Sequence, residues 1–138
     1  MQQANSVLLI DDDSIFNMIS TKIIQVAKFA PKVNSYLDGT AALEELKHII
    51  KTNPNEFPDV IFLDINMPEM DGWEFLDEFK KFPEFILKKC KVFMLTSSID
   101  DQDIKKSKSY QIVYDFISKP LSFSKLETLY AHPYQYLS

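Results

Sequence analysis

The sequence predicts an α/β domain of the (βα)5 type, a doubly wound parallel sheet with helices on both faces. Three observations carry this expectation. Strand-like and helix-like stretches alternate five times along the chain. Two apolar runs, Val7-Leu8-Leu9-Ile10 and Val60-Ile61-Phe62-Leu63, are closed by acids, the first by Asp11-Asp12-Asp13 and the second by Asp64. Short apolar runs between polar breaks read as strands buried on both faces, as in parallel sheets. The 138 residues contain no repeat, low-complexity tract or long linker. One domain is therefore expected over 1–138, with a core from about 5 to 131 and an irregular tail from about 132.

The elements follow in order. The first strand covers about Val7 to Ile10, and Ser14 is the expected N-cap of a helix. In that helix Ile15, Met18, Ile19, Ile23 and Val26 recur at helical spacing. A short second strand spans Lys32 to Tyr36, and Asp38-Gly39-Thr40 turns into a helix carrying Ala42, Leu43, Leu46, Ile49 and Ile50. Prolines and asparagines make a loop of Thr52 to Pro58. The third strand is Asp59 to Leu63, Met67 to Gly72 is a loop, and Trp73, Leu76 and Phe79 begin the third helix. Pro83 interrupts that helix or begins a short second piece. The fourth strand is about Lys91 to Leu95, followed by a polar helix over Ile99 to Tyr110. The fifth strand is about Val113 to Ile117, and a last helix starts near Ser122 and ends near Pro133.

Composition narrows the function classes. The formal net charge is −5, and the chain has lysine but no arginine, which argues against nucleic-acid binding. Cys90 is the single cysteine, so no internal disulfide forms, and its place before an apolar run reads as a buried thiol. Met1 to Ser6 lacks the charged and apolar regions of a secretory signal. No apolar run approaches the ~20 residues of a membrane span. A cytoplasmic protein with no membrane contact is expected.

The acids carry the chemistry. In open α/β sheets ligands collect outside the carboxyl ends of the strands, where both acidic stations lie. Carboxylates brought together there repel one another unless a cation sits among them, so a hard-metal site, Mg2+, is expected. Asp64 to Gly72 superficially resembles a calcium loop, but its sixth position is Glu69 rather than Gly and its twelfth Phe75 rather than Glu.

Five stations in order resemble the CheY-like response-regulator receiver domain over nearly the whole chain. They are Asp11-Asp12; Asp64 with Asn66 two residues on; Met67-Pro68 with Asp71-Gly72; Thr96-Ser97; and Lys119-Pro120. The resemblance implies a flavodoxin-like sheet in the order 2-1-3-4-5. It also implies that Asp64 is the phosphoacceptor and that Lys119 and Thr96 contact the phosphoryl group. Asp12, Asp64 and the carbonyl of Asn66 would bind Mg2+ directly, and Asp11 through a bound water. The Lys119-Pro120 bond is typically cis in the family. Thr96 and Phe116 would form the switch, read out on the face of the fourth helix, fifth strand and fifth helix. Asp13 reads as a helix cap or surface residue, and Asp71-Gly72 as a turn and helix start.

The chain also departs from the family pattern. Ser109 to Tyr114 lacks the usual Gly-Ala, Ser97-Ser98 replaces an alanine-containing stretch, and the last helix is short. Phe116 lacks the hydroxyl of the tyrosine often found there. Tyr130, Tyr134 and Tyr136 read as aromatics packed on the domain's own surface rather than on a partner.

The function this implies is phosphorelay signalling by a single-domain response regulator. It would accept a phosphoryl group from a sensor histidine kinase or a histidine phosphotransfer protein and switch its binding to an unidentified target protein. It would act as a monomer or weak dimer and catalyse only its own phosphorylation and dephosphorylation. Two alternatives stay open. One is a Mg2+-dependent aspartyl-phosphate phosphatase or phosphotransferase acting on an external substrate, against which Asn66 stands where such enzymes carry a second aspartate. The other is a pseudo-receiver that never takes phosphate.

Overall fold

Five parallel strands form one sheet in the order β2-β1-β3-β4-β5 in the computed structural model, which describes residues 2–130. The strands are β1 (Ser6–Ile10), β2 (Lys32–Tyr36), β3 (Val60–Asp64), β4 (Lys91–Thr96) and β5 (Val113–Ser118). The helices are α1 (Ser14–Val26), α2 (Gly39–Thr52), α3 (Gly72–Phe79), α4 (Glu84–Lys89), α5 (Asp101–Ser107) and α6 (Phe123–Glu127), with a 3-10 turn at Pro54–Glu56. No helix among the described residues is long and apolar enough to cross a membrane.

The central strands are apolar throughout because side chains alternate between two covered faces. Leu8, Ile10, Ile61, Leu63, Val92 and Met94 join the core under α2 to α5, with Phe75, Phe79 and Ile86. Val7, Leu9, Val60, Phe62, Phe93 and Leu95 point the other way, to Ile24 of α1 and Leu126 of α6. Cys90 is buried, as expected, and burial pushes its thiol pKa up.

Aspartates and serines set most helix starts, because a side-chain oxygen takes a backbone N–H that the helix leaves unpaired. Asp38 accepts from Ala41, Asp100 from Asp103 and Ser122 from Lys125. Asp71 and Glu74 form a reciprocal capping box. Pro83 is the N-cap of α4, so it begins a separate piece rather than kinking α3.

Several expectations are corrected. The cap of α1 is Asp13, whose Oδ1 accepts from Ile15 and Phe16 at 3.0 and 3.1 Å, and Ser14 is the first helical residue. The stripe read from α1 lies largely in solvent. Ile15, Met18, Ile19 and Val26 are at least half exposed, whereas Asn17, Ser20 and Ile24 face the sheet. Helix α5 is shorter than Ile99 to Tyr110, and α6 ends at Glu127 with Thr128 as its C-cap. Pro133, Tyr134, Tyr136 and the expected tail from 132 lie outside the described residues. Tyr130 stacks edge-on against Tyr114, with ring centroids 5.9 Å apart.

Gly72 lets α3 start directly against the end of β3. A Cβ there would lie 2.7 Å from the Asp64 carbonyl oxygen and 3.0 Å from Ile65 Cα, both backbone atoms. At Gly39 the nearest atom, 2.9 Å away, is Sδ of the flexible Met70 side chain. Gly72→Ala is expected to cost roughly 1–3 kcal/mol, as overpacking does. Gly39→Ala is expected to stay within about 1 kcal/mol of the parent, since helix propensity offsets crowding. Urea unfolding at unchanged m-value measures both, and equal costs would show that the close approach at Gly72 is not limiting.

Candidate functional site

The strand order reverses between β1 and β3, so the chain leaves those two strands toward opposite sides and opens a crevice at their carboxyl ends. Asp11 to Asp13 follow β1, and Asp64 ends β3. One carboxylate oxygen from each of Asp11, Asp12 and Asp64 lies within 4.8 Å of the others. The two stations read from the sequence thus meet at one point.

Lys119 enters from the end of β5. Its Nζ lies 2.7 Å from Asp11 Oδ2 and 3.2 Å from Asp64 Oδ1. Its peptide bond to Pro120 is cis, as the resemblance implied. Its backbone N–H donates to the Thr96 carbonyl at 2.8 Å, tying the loops after β4 and β5 together.

The three carboxylates differ in surroundings. Asp11 is fully buried, and its Oδ1 accepts the Asp13 N–H at 2.9 Å. Asp12 is exposed. Asp64 is 4% exposed and, besides the Lys119 ammonium at 3.2 Å, accepts a long hydrogen bond, 3.4 Å, from the Asn66 N–H. Burial first, and then the Asp11 charge, raise the Asp64 pKa to about 6 against the opposing pull of Lys119. Burial works against the Lys119 charge, but Asp11 and Asp64 more than offset it, so its pKa lies above the ordinary value.

Thr96 is buried at the end of β4, yet its hydroxyl is engaged locally. It donates to the Ser98 carbonyl at 2.7 Å and accepts the Ser98 N–H at 3.2 Å. Phe116 lies inward, 2% exposed, with its ring 6.5 Å from that of Trp73. Trp73 packs on Tyr110 at 5.2 Å, and the Tyr110 hydroxyl donates to Asp77 Oδ1 at 2.7 Å. Asn66 is exposed beside Asp64.

Two residues of α1 that sequence reasoning passed over belong to this neighbourhood. Asn17 is buried, and its Nδ2 donates to the Asp11 carbonyl at 3.0 Å. The Phe16 ring centroid lies 4.8 Å from Lys119 Nζ. A polar Asn between apolar neighbours, one turn past the acids, was the signal available for the first. For Phe16 there was none, because Lys119 is remote in sequence.

Oxygen donors alone, three of them carboxylates against one ammonium, suit a hard cation such as Mg2+. A buried carboxylate beside an ammonium also suits nucleophilic attack on an electrophile that brings its own negative charge.

A model of the response regulator receiver domain family matches residues 7–131. The chain is 36% identical to a two component response regulator from Cytophaga hutchinsonii, whose crystal structure superposes with a TM-score of 0.84 over 94% of this chain and 96% of that one. It is 29% identical over 121 residues, 88% of its length, to the probable methanogenesis regulatory protein FilR2 of Methanothrix harundinacea, of which it spans 76%. It is 32% identical over 123 residues, 89% of its length, to the sensor histidine kinase CheAY of Helicobacter pylori, of which it spans 14%.

The raised Asp64 pKa has a stability consequence. Between the ordinary value of 3.8 and about 6, the folded chain keeps a proton that the unfolded chain has released. The ionised site therefore weakens the fold progressively as pH rises through that window, and fully above it. In metal-free buffer at pH 7, Asp64→Asn is expected to be more stable than wild type by roughly 1–3 kcal/mol, with the gap closing below about pH 4. Added Mg2+ should stabilise the wild type and leave the variant unmoved. Thermal melts across pH check this, and a gap independent of pH would refute it.

Proposed function

This chain belongs to the response regulator receiver domain family of two-component signalling, and from that premise we propose that it is a phosphorylated switch. In this reading Asp64 accepts a phosphoryl group from the histidine of a sensor kinase or of a histidine phosphotransfer protein. The chain then changes its binding to a target protein in the cytoplasm. The observation that carries the reading is Lys119 Nζ bridging Asp11 and Asp64 at 2.7 and 3.2 Å within a pocket of three carboxylates.

The chemistry follows from these positions. An Asp64 carboxylate oxygen attacks the phosphorus, the bond from phosphorus to the donor breaks, and an acyl phosphate forms on Asp64. Asp12, Asp64 and the Asn66 carbonyl are the residues that would hold Mg2+ directly, with Asp11 behind a bound water, and the ion supplies neutralisation of the charge developing on the phosphoryl oxygens. Lys119 follows its carboxylate partner onto a phosphoryl oxygen, supplying a compact positive charge. Asp11 keeps the other side of that ammonium in place. Asn66 is exposed, and its side chain is free to influence how water reaches the acyl phosphate.

The switch would start at Thr96. Its hydroxyl is satisfied by Ser98 before phosphorylation, and a phosphoryl oxygen offers it a competing, charge-assisted hydrogen bond. A change of partner by Thr96 alters the turn that leads into α5 and the packing around Phe116, a two-state equilibrium biased by one new bond.

Incubation with Mg2+ and acetyl phosphate is expected to add one phosphoryl group by intact mass. Asp64→Asn, or removal of the metal, should abolish the addition. Measurable Mg2+ binding without addition from any donor, histidine kinases included, would instead favour the pseudo-receiver. Trp73, the single tryptophan, reads the second stage. Its emission should change on phosphorylation of the wild type, whereas Thr96→Ala should take the phosphoryl group with little change. Equal emission changes in the two proteins would remove Thr96 from the switch.

A further inference from the structure

We propose that Phe16 is a positioning residue for this site, its ring face holding the Lys119 ammonium over the Asp11–Asp64 pair. The inference rests on the reading of Asp64 as phosphoacceptor. Lys119 Nζ is 4.8 Å from the Phe16 ring centroid, closer than the lysine–ring contacts of Lys80, Lys91 and Lys106, which lie at 5.3 to 5.8 Å. The ammonium thus meets carboxylates at 2.7 and 3.2 Å and an aromatic ring as well, with 22% of the Lys119 side chain exposed.

The ring is itself held in place. The Phe16 N–H donates to the cap Asp13 Oδ1 at 3.1 Å, and Phe16 packs against the apolar core shared by α1 and α6. The next residue, Asn17, anchors the same turn to the Asp11 carbonyl at 3.0 Å. The first turn of α1 therefore carries the ring at a fixed place relative to the acids.

The chemistry suits a cation that must change partners. An ammonium over a ring face is attracted by the ring quadrupole, an effect of about threefold to thirtyfold in an equilibrium. A ring has no lone pair to take an ammonium proton, so it does not compete with Asp64 or with a phosphoryl oxygen. A carboxylate or amide at position 16 would divert Nζ, and an aliphatic side chain would fill the space without attracting it.

The test compares Phe16→Leu and Phe16→Tyr with wild type, each as the full chain. Phe16→Leu is expected to lower the maximal rate of phosphorylation by acetyl phosphate about threefold to tenfold. The half-saturating donor concentration and melting temperature should stay close to wild type. Phe16→Tyr, which keeps the ring, should restore the rate. In metal-free NMR spectra the Lys119 ε-methylene signal, identified by its loss in Lys119→Ala, should sit upfield in wild type and Phe16→Tyr. In Phe16→Leu it should move to the ordinary lysine position. A wild-type rate in Phe16→Leu, or a Phe16→Tyr protein as slow as Phe16→Leu, would overturn the positioning role. If the wild type takes no phosphoryl group, the functional reading fails by itself. The Lys119 signal still decides the positioning role, because an unshifted wild-type signal would exclude the contact.

Discussion

Carboxylates crowded into one crevice repel, and the arrangement that makes three of them tolerable governs the rest of this molecule. Asp11 is met on one oxygen by the Asp13 N–H and on the other by Lys119, so its burial carries compensation. Asp12 stays in water. Asp64 has the poorest compensation, and its pKa of about 6 records that. The asymmetry separates the roles. Asp11 is paired with Lys119 and the Asp13 N–H, Asp12 is open to solvent, and Asp64 is buried with its carboxyl held above the ordinary range.

The scaffold serves this crowding. Strands covered on both faces leave β1 and β3 little freedom, so the acids at their ends converge without relying on long loops. Gly72 lets α3 begin against the Asp64 carbonyl, which closes the far wall of the crevice. The α1 turn, capped by Asp13 and anchored by Asn17, closes the near wall. The bond from the Lys119 N–H to the Thr96 carbonyl joins the loop that supplies the cation to the loop that supplies the hydroxyl. A shift in either loop is therefore felt by the other.

Away from the acids, aromatic rings continue the connection. Phe116, Trp73 and Tyr110 lie in sequence across β5, α3 and the segment after α5, and Tyr110 ends on Asp77. Lys106 over Trp73 and Lys80 over Tyr110 flank the same stack. Closely packed rings of this kind resist smooth deformation, so Phe116, Trp73 and Tyr110 form one rigid block between β5, α3 and the segment after α5.

The sequence alone determined the sheet, the element order and the convergence of Asp11, Asp12 and Asp64. Strands buried on both faces must be apolar throughout, and acids at their ends interrupt that pattern visibly. The helix starts near Asp38, Asp71 and Ser122 were legible for a similar reason, since they depend on neighbours a few residues away, and the structure shows these three residues to be the caps. Resemblance supplied Thr96 and Lys119, whose roles no local pattern reveals. Only the tertiary structure decided which face of α1 is inward. That helix carries the single charge of Lys22 and apolar residues all round, so periodicity allowed either face. In the fold Asn17, Ser20 and Ile24 face the sheet, with Asn17 donating to the Asp11 carbonyl, and Ile15, Met18, Ile19 and Val26 lie outward. The same is true of Phe16 over Lys119 and of Phe116 against Trp73. These pairs are far apart in the chain, and contact between them exists only once the sheet has brought its strand ends together.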